Sequence, residues 1–403
     1  MRKPGRVSSC KVNLKLGVRF GHFAEQGSRD SMEDRTVAIA DIFQPLWGKS
    51  AATEHCSRFF PAPTSGTWSR DCDIEIPEEE GDVGGAYHLS GAFTGCASAQ
   101  EAQWRADNCH RGHAAYFGVY DGHGGDSVAE ALQAQLHRAI VTHQAFHEDR
   151  SRAILEATYD VDMQCLSKDY AARQETARNA AAAALERSTS KPSLLPALLA
   201  PSGARTAGSV AVLAVVYRSL SSAAVVVHVA HVGDCRCVVG RGGRAVALTS
   251  DHKPARKDEA QRVEAAGGYV SRGCVNGVLR VTRSFGDIHC KVFPPRNTLS
   301  TAEGPAPLAS DGLWGSDQQI IAKPELCTFE VSPEDEFMIL ASDGIWDVVH
   351  DQGAVNFVQR RLFAHRDVQR ASKELADKAA TRSTDNCSCI IVCLNQQAPN
   401  RQQ

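Results

Sequence analysis

The sequence has no run of apolar residues long enough to cross a bilayer, which argues against a helical membrane anchor within it. Its first residues, MRKPGRVSSCKVNLKLG, are basic but lack the apolar stretch of a secretory leader, and residue 2 is not the glycine that N-myristoylation requires. A soluble protein of the cytoplasm or nucleus, working away from membranes, is the expectation. A basic excess is lacking too. The 44 Lys and Arg stand against 47 Asp and Glu, a formal charge of -3, so a nucleic-acid partner held by phosphate neutralisation is not expected. No dimer-forming heptad repeat is visible, and a monomer is expected.

What the chain does have is 43% hydrophobic residues over a length of 403, enough to bury a full core without disulfides. Its 14 cysteines are scattered from Cys10 to Cys393, and several sit in strand-like apolar runs, as buried free thiols do. In Cys235/Cys237 and Cys387/Cys389 a strand points both members to one face. Zinc sites space paired cysteines by two to four residues, so a zinc site is not expected.

Strands are expected within 17–42 and at 114–120, 209–217, 223–231, 235–239 and 244–248, with GRGG as the hairpin turn between the last two. Two short strands follow at 277–283 and 337–341, and CSCIIVCL closes the series as a buried strand. Helical patterns run over 126–143, 149–187, 351–363 and 367–381, and KPARKDEAQRVEAAGG reads as a short helix capped by its glycines. Helices in blocks around blocks of strands indicate an α+β fold, not alternating βαβ. One domain is expected over 17–394, after an extension at 1–16 and before a tail at 395–403. Stretches near 43–113, 188–203 and 292–320 read as insertions. The WGKS of the first resembles the end of a phosphate loop, but the required earlier glycine is Phe43.

In AAYFGVYDGHGGDSVAEAL an apolar strand ends at Asp121-Gly122. Asp-Gly is a strong hairpin signal, but a hairpin needs a second strand, and a helix follows with Asp126 available as its N-cap. FMILASDGIWDVV repeats the device at Asp343-Gly344. Two buried strands thus each deliver an Asp to an exposed end, and Gly lets a backbone carbonyl approach a ligand that a Cβ would obstruct. Further acids lie at strand ends: Glu33 and Asp34 in SMEDRT, Asp234 in HVGDCR, Asp347 in GIWDVV and Asp385 in STDNCS. Several carboxylates packed together repel one another unless cations neutralise them. Oxygen ligands of this kind suit Mg2+ or Mn2+, and two such ions turn water into a nucleophile at neutral pH. Metal-assisted hydrolysis is the reaction class.

RDSMED, YFGVYDGHGG, VGDCR, LTSDHKP, AGGYV, VNGVLRVTRSFGD, ILASDGIWDVV and STDN occur in this order. The chain thereby resembles the metal-dependent protein serine/threonine phosphatases of type 2C. The resemblance implies an αββα sandwich of two antiparallel sheets flanked by helix pairs, with a metal site at one end, and phosphoserine/phosphothreonine proteins as substrates. It implies that Asp121 bridges two Mg2+ or Mn2+ ions, that the Gly122 carbonyl binds the first, and that Asp343 and Asp385 bind the second. Glu33 acts near them through bound water. Arg29 binds the phosphate, His123 is the general acid, and Asp234 and Asp347, together with Asp343, match the ligands of a weaker third metal found in some relatives. Asp287 is expected to be structural.

Departures from the family pattern stand at Val210, in place of a threonine unless Thr206 substitutes, and at Cys274 or Val275, where an arginine is common near Arg272. The Pro/Gly-rich excursion 292–320 falls at the family's flap beside the active site, where substrate choice is expected to lie. The alternative reading is a non-catalytic scaffold that binds a phosphoprotein or regulatory partner. Retention of Arg29, Asp121, Gly122, Asp343 and Asp385 favours catalysis over it. A metal phosphatase of small molecules is a third reading, and assays on phosphopeptides against metabolites separate it from the first. NCS at Asn386 matches a glycosylation pattern but begins a buried strand, which argues against its use.

Overall fold

The computed structural model describes residues 11–13, 16, 18–40, 42, 114–187, 207–219, 222–291 and 318–394. The stretches 43–113 and 188–203, the tail at 395–403 and the excursion from 292 to 317 lie outside the described residues, as does Thr206. Chain contacts separate residues 1–44 and 111–403 from 45–110, and every described residue belongs to the first unit.

The strands alternate small and bulky apolar side chains between their two faces, and this alternation sorts the core into layers. In β4 (Ala114–His123) Tyr116 and Tyr120 point one way, and Ala115, Phe117 and Val119 the other. Its partner β5 (Gly208–Arg218) does the same, with Ala211, Leu213 and Val215 opposed to Val210, Val212 and Val216. On one face α1 (Ser127–Thr142) and α2 (Arg150–Arg187) supply Leu132, Leu136, Ile140, Ile154 and Val161. The other face meets a second sheet, whose β13 (Asp335–Ala341) turns Met338 and Leu340 inward and Phe337 and Ile339 outward. The outward side is covered by α5 (Asp351–His365) and α6 (Val368–Ala380). Each fully buried large side chain contributes roughly 1.5–3 kcal/mol, so three stacked apolar layers hold four layers of structure.

Spatial order in the second sheet is β1 (Lys11–Asn13), β2 (Val18–Glu25), β14 (Cys387–Cys393), β13, β7 (Arg236–Arg241), β8 (Arg244–Ala247). In the sheet bearing β4 it is β12 (Glu325–Glu330), β6 (Val225–Val232), β5, β4, β3 (Arg35–Ile39), with β11 (Phe285–Gly286) beside β5. All ladders are antiparallel. The expected αββα sandwich is therefore what the chain forms. Residues 11–13, expected to precede the domain, are the edge strand of a sheet.

Gly242 and Gly243 turn the β7–β8 hairpin with φ of 53° and 76°, as a two-residue primed turn demands. In the short helix α3 (Lys257–Ala265) the chain stops at Gly267, whose φ is 79°, while Gly268 donates to the Val263 carbonyl at 2.9 Å. Two expectations fail. Residues 277–283 form no strand, because Asn276 and Gly277 adopt left-handed φ of 52° and 71° and only Leu279 and Arg283 make isolated bridges. Asp126 precedes α1 but does not cap it; its carboxylate accepts from Arg35 at 2.8 Å, an opposite charge being the stronger partner. The cysteines among the described residues are free, and Cys235/Cys237 and Cys387/Cys389 are buried. No helix among these residues is long and apolar enough to cross a membrane.

Candidate metal and phosphate site

The acids gather where the chain passes between the sheets. Glu33 and Asp34 lie between β2 of one sheet and β3 of the other, and Asp234 lies between β6 and β7, which are likewise divided. Asp121 lies near the end of β4, Asp343 opens the single-turn α4 (Asp343–Trp346) after β13, and Asp385 precedes β14. The glycines after the two aspartates permit the gathering. A Cβ on Gly122 would lie 2.7 Å from the Glu33 carbonyl oxygen, and one on Gly344 1.9 Å from that of Asn386. These positions are glycine because the acid-bearing loops abut them, a steric reason added to the ligand approach expected from sequence.

Asn386 fastens the Arg29–Asp34 loop. Its Oδ1 accepts from the Glu33 amide at 2.8 Å, and its Nδ2 donates to the carbonyls of Gln26 and Ser31 at 2.8 and 3.1 Å. Read as a glycosylation pattern, the residue gave no hint of this work. Asp34 is buried and its Oδ2 accepts from Ser342 at 3.0 Å. Named among the strand-end acids but absent from the roles implied by the family, it lies against Asp121 and feels the charge of Asp385.

Electrostatics tie these residues together. Burial, reinforced by Asp34, Asp343, Asp234 and Asp385, pushes the Asp121 carboxyl well above its usual range. Burial also pushes Asp34 up to about 6, and burial with the charges of Asp234, Asp385 and Asp347 pushes Asp343 up to about 7. Carboxylates in this state are short of positive charge, and all their ligating atoms are hard oxygens. The set fits divalent cations such as Mg2+ or Mn2+.

Arg29 is half exposed at the rim, where its Nη2 donates to Asp385 Oδ2 at 2.5 Å and it feels the charges of Asp121 and Glu33. His123, the last residue of β4, places Nε2 2.8 Å from Asp287 Oδ2. Ser284 donates to the same oxygen at 2.5 Å. Asp287 is buried, with φ of 50°, and a Cβ on Gly208 would strike both its carboxylate and the His123 ring at 2.3 Å. Burial works against a charged imidazole here, but the hydrogen bond and charge of Asp287 overcome it and raise the His123 pKa. Asp287 is thus in contact with the candidate acid, which the motif SFGD alone did not reveal.

One of the two departures borders the acids and the other does not. Val210 is opposite Asp121 in the β4–β5 register but packs into the core between the sheets, and Ser209 makes the local polar contact, donating to the Asp121 carbonyl at 2.9 Å. Cys274 belongs to a two-stranded ribbon, β9 (Val270–Ser271) with β10 (Cys274–Val275). A different ligand-type group, His231, His252 and Glu325, is already served by cations: Arg256 and Arg283 both pair with Glu325.

Comparison with known proteins agrees with this architecture. The family model for protein phosphatase 2C matches residues 89–388. Probable protein phosphatase 2C 22 of Arabidopsis thaliana is 33% identical over 345 residues, 85% of this chain and 71% of that one. Probable protein phosphatase 2C 57 of Oryza sativa is 31% identical over 343 residues, 85% of this chain and 75% of that one. Among solved structures, a phosphatase from a pathogenic strain of Toxoplasma gondii superposes with a TM-score of 0.57 at 16% identity, covering 97% of this chain and 96% of that one. The chain belongs to the protein phosphatase 2C family of serine/threonine phosphatases.

Proposed function

We propose that the enzyme hydrolyses phosphoserine and phosphothreonine in proteins at a site for two divalent cations, Mg2+ or Mn2+, built on Asp121, the Gly122 carbonyl, Asp343 and Asp385, with Glu33 and Asp34 beside them. The observation that carries this reading is the burial of Asp34, Asp121 and Asp343 in one group of mutually repelling carboxyls. Such ions, when bound, supply a water nucleophile at neutral pH and positive charge for the phosphoryl oxygens.

The chain's own groups supply the rest. Arg29 presents a guanidinium fork that matches two phosphoryl oxygens and the charge growing on them, and its tether to Asp385 aims it at the acids. His123 uses Nε2 on Asp287, which leaves Nδ1 as the nitrogen that gives a proton to the departing serine or threonine oxygen. Asp287 fixes the ring's tautomer and orientation and favours its protonated form. Residues 11–394 form the catalytic domain in this reading, with the stretches 43–113, 188–203 and 292–320 as insertions.

Phosphate release from a phosphothreonine peptide is the direct test. Release is expected with Mn2+ or Mg2+, to be abolished by EDTA and to persist with inhibitors of other serine/threonine phosphatases. Absence of release with either metal would sink the reading. His123→Ala is expected to lower turnover of that peptide roughly a hundredfold, the lower end for a lost general acid, and Asp287→Asn to follow it in part. Both losses should shrink on p-nitrophenyl phosphate, whose leaving group needs no proton. Equal losses on the two substrates would remove both residues from the acid function.

A further inference from the structure

At the edge of the acidic group stands a corner whose charges are already balanced. Asp234 follows β6, Asp251 lies between β8 and α3, and Asp347 follows α4. The Lys253 ammonium lies 3.3 Å from Asp234 Oδ2, 3.7 Å from Asp251 Oδ2 and 3.9 Å from Asp347 Oδ1. Asp251 is in addition clasped by Arg236, whose Nε and Nη2 donate to its two oxygens at 3.0 and 2.9 Å, while Nη1 holds Asp351 at 2.6 Å. Arg236 therefore answers Asp251 and Asp351. Lys253 is left to answer Asp234, which is buried, and Asp347, which is exposed.

We infer that Lys253 is the resident cation of this corner, and that the enzyme consequently holds two metal ions and not three. The inference rests on the two-cation reading above. Asp234 and Asp347 are the residues that the family resemblance offers to a third ion, yet the space between them is the space the ammonium serves. A divalent ion entering there meets a fixed like charge at ion-pair distance, so it binds only if the lysine swings out. The side chain is 36% exposed, and a third ion stays out as long as its ammonium remains on Asp234 and Asp347.

Counting bound Mn2+ tests this without recourse to activity. Free Mn2+ is read by electron paramagnetic resonance and binding by titration calorimetry, on the full chain, up to millimolar metal. The wild type is expected to bind two ions, and Lys253→Met and Lys253→Gln three, whereas Lys253→Arg, which keeps a cation, stays at two. Asp347→Asn provides a second measurement on an exposed position: it should leave the count at two ions. Three ions on the wild type, two on both neutral lysine variants, or a lost ion in Asp347→Asn would each overturn the assignment of Lys253 while leaving the two-cation site standing. A wild type that binds no Mn2+ would defeat the two-cation reading itself, and this inference with it.

Discussion

Asp121→Ala is expected to abolish phosphatase activity and, in the absence of metal, to make the protein more stable. The first effect follows from Asp121's position at the centre of the candidate site, coupled to Asp34, Asp234, Asp343 and Asp385. On the two-cation reading proposed above, loss of the Asp121 carboxylate would remove several kcal/mol of charge stabilisation, about a thousandfold in rate or more. The second follows from the sign of the pKa shifts. A carboxyl whose folded pKa lies above its unfolded value binds its proton more tightly in the fold. The contribution of these carboxyls to metal-free stability is therefore highest in acid and declines as pH climbs from about 4, the ordinary carboxyl range, through the raised values. Those values are about 6 for Asp34 and about 7 for Asp343. Removing Asp121 takes away one buried charge and relieves its neighbours, so the gain should be absent near pH 4 and grow toward neutrality. Phosphate release with Mn2+, and urea unfolding in EDTA across that pH range, check the two halves. Undiminished turnover would remove Asp121 from the site, and a variant less stable than wild type at neutral pH would remove the repulsion.

Asp162→Ala is expected to cost the fold about 3–5 kcal/mol, the penalty for stranding one member of a buried ion pair. Both oxygens of Asp162 on α2 lie 2.8 Å from Lys291 Nζ, and the two side chains are 1% and 3% exposed. Oδ1 also accepts from the Gly286 amide at 2.9 Å, and Nζ donates to the Ser284 carbonyl at 2.7 Å. Burial nevertheless raises the Asp162 pKa, with Lys291 only partly countering it, so the intact pair contributes little net stability. Its value lies in position. It anchors residues 284–287, which carry the carboxylate under His123, to the helix layer. Urea unfolding of Asp162→Ala, Lys291→Met and the double variant Asp162→Leu/Lys291→Met measures this: each single loss should be large and the double variant should recover part of it. Single losses below about 1 kcal/mol would show that water reaches the pair.

The layers and the strand ends were legible because they rest on short-range signals. Tyr116, Phe117, Val119 and Tyr120 announce a two-faced buried strand, and the Asp-Gly steps at Asp121 and Asp343 announce where the strands stop. What was illegible depends on partners distant in sequence. Asp126 caps in isolation, but Arg35, far earlier in the chain, claims it. Asp287 is one acid among many until the fold brings it to His123, and Asn386 is a surface-like motif until the Arg29–Asp34 loop closes over it. The strand expected at 277–283 has the right apolar residues, but Asn276 and Gly277 bend the backbone out of register before they can pair.

The acids that face one another come from opposite sheets: Asp121 belongs to one, Asp343 to the other, and Glu33 and Asp34 to the crossing between them. By linkage, whatever free energy a shared ion gains from holding both sides is also the free energy by which the two halves of the sandwich resist parting. On the two-cation reading proposed above the ions would be fasteners as well as reagents, and chelation would loosen the joint at the same stroke that stops the chemistry.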